Sequence, residues 1–232
     1  MSVPNPTHLS GQSTTEPADK APLVFCDTET DGLASPWAPG GRRVWEIAAI
    51  RREPDGREHQ FHAFVRLDEL GFDVDDPGEV RRRSLDVGGF YQRHPQLVGS
   101  PVAADHLNVV SYQTAAAGLL DLFAGRAVMV GVVPSFDAES FRHLLHATGL
   151  MPADAIAPDP TKSEPMSSPW RGRLVCVWSM VAGRTGVPTY ALDRAVVQHH
   201  LGIDPAHYAH HTAMGDARWA RDVHDAVLGL CR

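Results

Sequence analysis

Three strand-like runs follow one another with no helical pattern between them, and this order constrains the fold more than any other feature of the chain. Leu23-Val24-Phe25-Cys26 is a short apolar run expected to form a buried strand ending at Asp27. Val44 to Arg52 and Glu58 to Val65 read as two further strands, and the Asp55-Gly56 pair between them is a hairpin signal. Asp31-Gly32 marks a turn after the first run, and Pro36, Pro39, Gly40 and Gly41 extend that loop.

Helices and strands alternate after residue 110. The pattern predicts a helix over 111–124 capped by Ser111 or Thr114, and a fourth strand over 127–133. A helix over 136–148 stopping at Gly149 follows, then a fifth strand over 174–178. Short helices are expected around 180–184 and 190–201, and a final one over 213–230. Residues 68–110 lack clear periodicity and are expected to form an insertion or irregular helices. Residues 151–173 carry five prolines and read as a long loop. Short-linked strands followed by alternating elements imply an α/β domain, one mixed central sheet of about five strands flanked by helices.

The 232 residues, 43% hydrophobic, suit one domain over 21–232 behind a flexible tail over 1–20. No apolar run is long enough to cross a bilayer, and the first twenty residues hold no signal-like apolar core. The expectation is therefore a cytoplasmic protein with no membrane partner. Cys26, Cys176 and Cys231 suggest neither a disulfide framework nor a zinc knuckle. A net charge of −7 argues against coating nucleic acid non-specifically, although carboxylates that hold cations could still meet phosphate. Arg42-Arg43, Arg51-Arg52 and Arg81-Arg82-Arg83 read first as solvated surface.

Three groups of residues could carry chemistry. Asp27 and Glu29 stand two apart in an extended segment, so both carboxylates point to one side at the end of a buried strand. Like charges that close repel unless a cation lies between them, which suggests a divalent site with oxygen ligands. Asp137 sits where a helix begins after another apolar strand, a place where an acidic residue is also favoured simply by the helix dipole. His211 and Asp216, five apart, can meet if His211 precedes a helix and Asp216 lies in its first turns. An imidazole there could take a proton from water near neutral pH. In a chain with 13 histidines, each of these signals taken alone has an ordinary surface explanation.

Taken together, the segments Val24-Phe25-Cys26-Asp27-Thr28-Glu29-Thr30-Asp31-Gly32-Leu33, Ser135-Phe136-Asp137 and His211-Thr212-Ala213-Met214-Gly215-Asp216-Ala217 resemble the three motifs of the DEDDh exonucleases. That group contains the polymerase proofreading epsilon subunits, RNase T and the oligoribonucleases. The resemblance implies a ribonuclease-H-like fold and two divalent cations, Mg2+ or Mn2+. Asp27 would bridge the two, Glu29 and Asp216 would complete the first site, and Asp137 would support the second. His211 would be the general base in 3′→5′ removal of nucleoside 5′-monophosphates. Thr28, Thr30 and Leu33 would meet the terminal nucleotide; Leu33 packed inward as a loop anchor is an equal alternative.

The implied partner is the 3′ end of a nucleic acid strand, single-stranded by preference, in DNA replication or repair, with polymerase association among the implied partners. DNA is the expected substrate. An RNA-trimming or oligoribonucleotide-degrading enzyme is the alternative, and a non-catalytic nucleic-acid-binding module ranks below both. One departure stands out: Val132 and Val133 occupy the places of a usual His-Asn pair.

Overall fold

The computed structural model describes residues 21–99, 108–151 and 168–230. The tail expected over 1–20, Cys231 and most of the proline-rich segment over 151–173 lie outside these. Six strands form one mixed sheet: β1 Leu23–Thr30, β2 Val44–Arg52, β3 Glu58–Val65, β4 Asn108–Val110, β5 Val128–Gly131 and β6 Val175–Cys176. They lie in the order β4-β3-β2-β1-β5-β6. β2 is antiparallel to both β1 and β3, whereas β1, β5 and β6 run parallel.

The second and third strands fall where the sequence placed them. Gly56 supplies the positive φ of 87° that the connecting turn requires. Other expectations need correction. β1 does not end at Asp27 but runs to Thr30, because residues 27–30 continue to pair with β2. A sixth strand, β4, was hidden in the 68–110 stretch; it is three residues long and pairs in parallel with β3. The strand expected over 127–133 is only four residues. The one expected over 174–178 shrinks to two, because Val177 already begins a helix.

Eight α-helices of the described residues cover the sheet. They are α1 Glu79–Val87, α2 Phe90–Arg93, α3 Pro95–Val98, α4 Tyr112–Leu122, α5 Pro134–Ala147, α6 Val177–Thr185, α7 Arg194–Leu201 and α8 Ala213–Leu228. The helix expected over 190–201 is divided, with a 3-10 turn at Thr189–Ala191 ahead of α7. Ser111 caps α4 by accepting from the Thr114 amide, a contact worth about 1 kcal/mol.

Strand parity sets the layers. Val24 and Cys26 point into a core built with α4 and α5, where Phe123, Phe141 and Trp170 pack together. Trp170 thus pins the end of the proline-rich segment to the body. Phe25 points to the opposite face, against Val177, Val181 and the α8 residues Trp219 and Val223. A third cluster joins Trp45, Phe64, Leu85 and Phe90 and seats α1 and α2 over the β2–β3 side. No helix among the described residues is long and apolar enough to cross a membrane.

Candidate metal centre and cleft

The same parity that divides the core also brings the carboxylates together. Asp27 and Glu29 share the face of Phe25, the face covered by α8, and meet Asp216 from the first turn of that helix. One carboxylate oxygen from each of Asp27, Glu29 and Asp216 lies within 4.8 Å of the others. Thr28 faces the other way, and its hydroxyl donates to Asp137 Oδ1 at 2.8 Å, holding buried Asp137 at the start of α5. The four acidic residues named from sequence therefore gather at the carboxyl end of β1, three as a close group and Asp137 through Thr28.

The cluster is electrostatically strained. Burial, then repulsion from Asp137, Asp216, Glu29 and Glu46, holds the Asp27 carboxyl well above the usual range. Glu29 is pushed up to about 8 by burial and by Glu46, with Arg93 pulling the other way. Burial also raises Asp137, against hydrogen bonds from Thr28 that favour its charged form. An all-oxygen set of repelling carboxylates is the donor chemistry that hard divalent cations such as Mg2+, Mn2+ or Ca2+ require. The residues fit such an ion.

Asp216 is held by three donors. His211 donates its backbone N–H to Oδ2 at 3.1 Å; His210 Nδ1 and Arg194 Nη2 meet Oδ1 at 2.8 and 3.0 Å. An ionised carboxylate only accepts, so His210 carries its proton on Nδ1. The two adjacent histidines thereby part company. The His210 side chain is 16% exposed, and its Nε2 is buried without a hydrogen-bond partner. His211 is exposed and lines the cleft. It does so in a left-handed conformation, φ 58°, that costs a non-glycine residue about 1–2 kcal/mol. Two contacts offset this: its N–H to Asp216, and its carbonyl, which accepts from Arg93 Nη1 at 2.8 Å.

Thr212 caps α8, its Oγ1 accepting from the Gly215 amide at 3.0 Å and donating to the Ala209 carbonyl at 2.6 Å. This folds the histidine loop tightly over the helix start. A Cβ on Gly215 would lie 2.0 Å from the Ala209 carbonyl oxygen, so only glycine fits. Gly215→Ala is expected to destabilise the protein by about 1–3 kcal/mol through overpacking against backbone. Urea unfolding measures it, and an unchanged midpoint would refute the tight packing.

The cleft beside the cluster, about 400 Å3, is walled by Thr28, Glu29, Thr30, Leu33, Phe136 and His211, with Arg83, Ser84 and Val87 of α1 opposite. That size falls among ordinary ligand pockets. Leu33 is 84% exposed at its rim, which excludes its packing into the core as a loop anchor. The Thr30 hydroxyl donates to Gly32 O, and the hydroxyl of Thr28 is committed to Asp137, so neither is a free side-chain donor to a ligand. The register slips between Glu29 and Thr30, where Trp45 is the extra residue on β2, a bulge of the kind that re-aims residues beside sites.

Sequence reasoning missed four residues here. Glu46 is 1% exposed and stands directly opposite Glu29 across the β1–β2 pair. A single glutamate within the apolar run Val44 to Ile50 was the signal that could have found it. His210, Arg194 and Arg93 carry no such mark. The arginine clusters prove largely structural. Arg42 is buried, bonding Ser140, Glu139 and the Ala34 and Phe136 carbonyls, while Arg81 pairs with Asp31. Asp31 also accepts from the Arg43 amide and donates its own N–H to the Arg43 carbonyl, which closes the 31–43 loop.

No family model matches the chain, and no curated protein sequence matches it. Among solved structures it is similar to exonuclease I in its apo form, with a TM-score of 0.57 and 15% identity over 90% of this chain and 42% of that one. It is also similar to the moderately thermophilic exonuclease I of Methylocaldum szegediense (0.56, 16%, 90% and 40%). A third is the zinc-bound form of the E. coli exonuclease I–ssDNA complex (0.56, 18%, 90% and 40%). The fold is ribonuclease-H-like. The chain spans about two fifths of the length of each of these proteins.

Proposed function

We propose that the protein is a divalent-cation-dependent 3′→5′ exonuclease of the DEDDh type acting on single-stranded DNA. The observation that carries this reading is the convergence of Asp27, Glu29 and Asp216 within 4.8 Å, beside a cleft that His211 lines. Asp27, Glu29 and Asp216 would hold one cation and Asp137, with Asp27, the second. When bound, the cations supply charge stabilisation to the attacking and leaving oxygens of the phosphodiester.

The chain's own residues do the rest. Leu33 and Phe136 offer apolar surface to the terminal base, and the bulge at Thr30 presents backbone toward its sugar. His211 takes the proton of the water that attacks phosphorus as the bond to the preceding nucleotide's 3′ oxygen breaks. The leaving 3′ oxygen takes a proton from solvent, so the products are a nucleoside 5′-monophosphate and a strand one residue shorter, ending in a 3′-hydroxyl. The single-stranded DNA in the E. coli exonuclease I complex supports DNA as the substrate.

The test is incubation of the protein with 5′-labelled single-stranded DNA, duplex DNA and RNA in Mg2+, Mn2+ or chelator. Stepwise shortening of single-stranded DNA, abolished by chelator, is expected. Faster shortening of RNA would move the substrate to the RNA alternative, and tight binding without any shortening would reject the enzyme.

A further inference from the structure

We propose that Arg93 is a positioning residue that locks His211 to the carboxylate cluster; this rests on the exonuclease reading above. Arg93 ends the short helix α2, yet its guanidinium reaches three separate parts of the site. Nη1 donates to the carbonyls of Gly88 and His211, the latter at 2.8 Å, and Nη2 pairs with Glu46. The group also lies 5.2 Å from the Trp45 ring centroid, so it is fixed on its face as well as at its edges.

Each partner bears on the chemistry. Glu46 stands opposite Glu29, and its second oxygen meets His62 Nε2 at 2.8 Å, so its position is set from two sides. Gly88 abuts Glu29 so closely that a Cβ there would lie 3.0 Å from Glu29 Oε2 and 2.8 Å from Trp45. His211 holds its left-handed backbone partly through the carbonyl that Arg93 engages. One planar cation therefore ties the end of α1, the strand behind Glu29 and the histidine loop into a single unit. Lysine could not do this, because a single ammonium lacks the fork that spans these acceptors.

Arg93→Lys and Arg93→Met in the 232-residue chain test the assignment. Both are expected to lower kcat on single-stranded DNA by about 100-fold, the cost of a misplaced catalytic group. KM should stay within about threefold, because the terminal nucleotide's own contacts remain. With ring-labelled histidine, the His211 resonances (assigned through His211→Gln) should shift in both variants while those of His143 and His146 on α5 hold still. Lysine restoring full turnover would overturn the proposal, as would unmoved His211 resonances. If Arg93→Met fails to fold, the lysine variant carries the test. If the wild-type protein releases no nucleotide, the exonuclease reading fails, and the His211 resonances still decide the role of Arg93.

Discussion

Asp27→Asn is expected to stabilise the cation-free protein and to abolish nucleotide release. Asp27 sits among Asp137, Asp216, Glu29 and Glu46, each of which makes its ionisation harder. Glu29, raised to about 8, behaves likewise. Carboxyls whose folded values exceed the unfolded ones hold protons more tightly in the folded state. Their contribution is fully present below the unfolded value near 4 and is lost as pH rises through about 8. Cation-free protein should therefore melt at lower temperature at pH 8 than at pH 5, and the asparagine variant should lose less over that range. Magnesium should restore the wild type most at the higher pH, since it replaces the protons that the cluster sheds. If Asp27 holds a cation as proposed, losing a ligand worth several kcal/mol to the transition state corresponds to a rate loss of about 10^3-fold or more. Thermal melts with and without Mg2+, beside the labelled-DNA assay, check both halves. Asp27→Asn protein that cleaves at the wild-type rate would overturn the site, and one less stable than wild type at pH 8 without cation would overturn the electrostatic account.

The second large effect separates the neighbouring histidines. If His211 is the proposed proton acceptor, His211→Ala should lower kcat by about 10^2–10^4-fold with the Mg2+ dependence little changed, because Asp27, Glu29 and Asp216 stay in place. His210→Ala should act through Asp216, whose carboxylate it orients at 2.8 Å, costing about 10–100-fold and appearing as a weaker apparent affinity for Mg2+. The buried Nε2 of His210 has no route to a substrate. Turnover lost mainly on replacing His210, at unchanged Mg2+ affinity, would exchange the two roles.

Features that depend on neighbours in sequence were legible; those made by distant pairing were not. Val44–Arg52 and Glu58–Val65 were readable because alternation and the Asp55-Gly56 turn act locally. That Asp27 could meet Glu29, and His211 Asp216, was readable because a strand repeats every two residues and a helix start places a preceding loop residue over its first turn; that they form one site was implied only by the resemblance of the three motifs. The run Leu174 to Trp178 misled because short apolar stretches rich in valine suit a strand and a buried helix start equally. β4 is a three-residue edge strand whose pairing with β3 crosses more than forty residues, beyond any local pattern. Arg93 and Glu46 matter only once strand register and the seat of α2 bring them together, 47 residues apart.

The place of β1 in the sheet has a consequence for how the protein fails under heat. With β2 paired along its whole length and β5 paired at Leu23–Phe25, the strand bearing Asp27 and Glu29 belongs to the part that separates last. The loop bearing His211 has no strand pairing and is held by its hydrogen bonds to Asp216 and Arg93 and by the Thr212 cap, so it opens before β1 does. Warming should thus silence the proposed exonuclease in two stages, with His211 drifting from the cleft while the acidic nest beneath it keeps its shape.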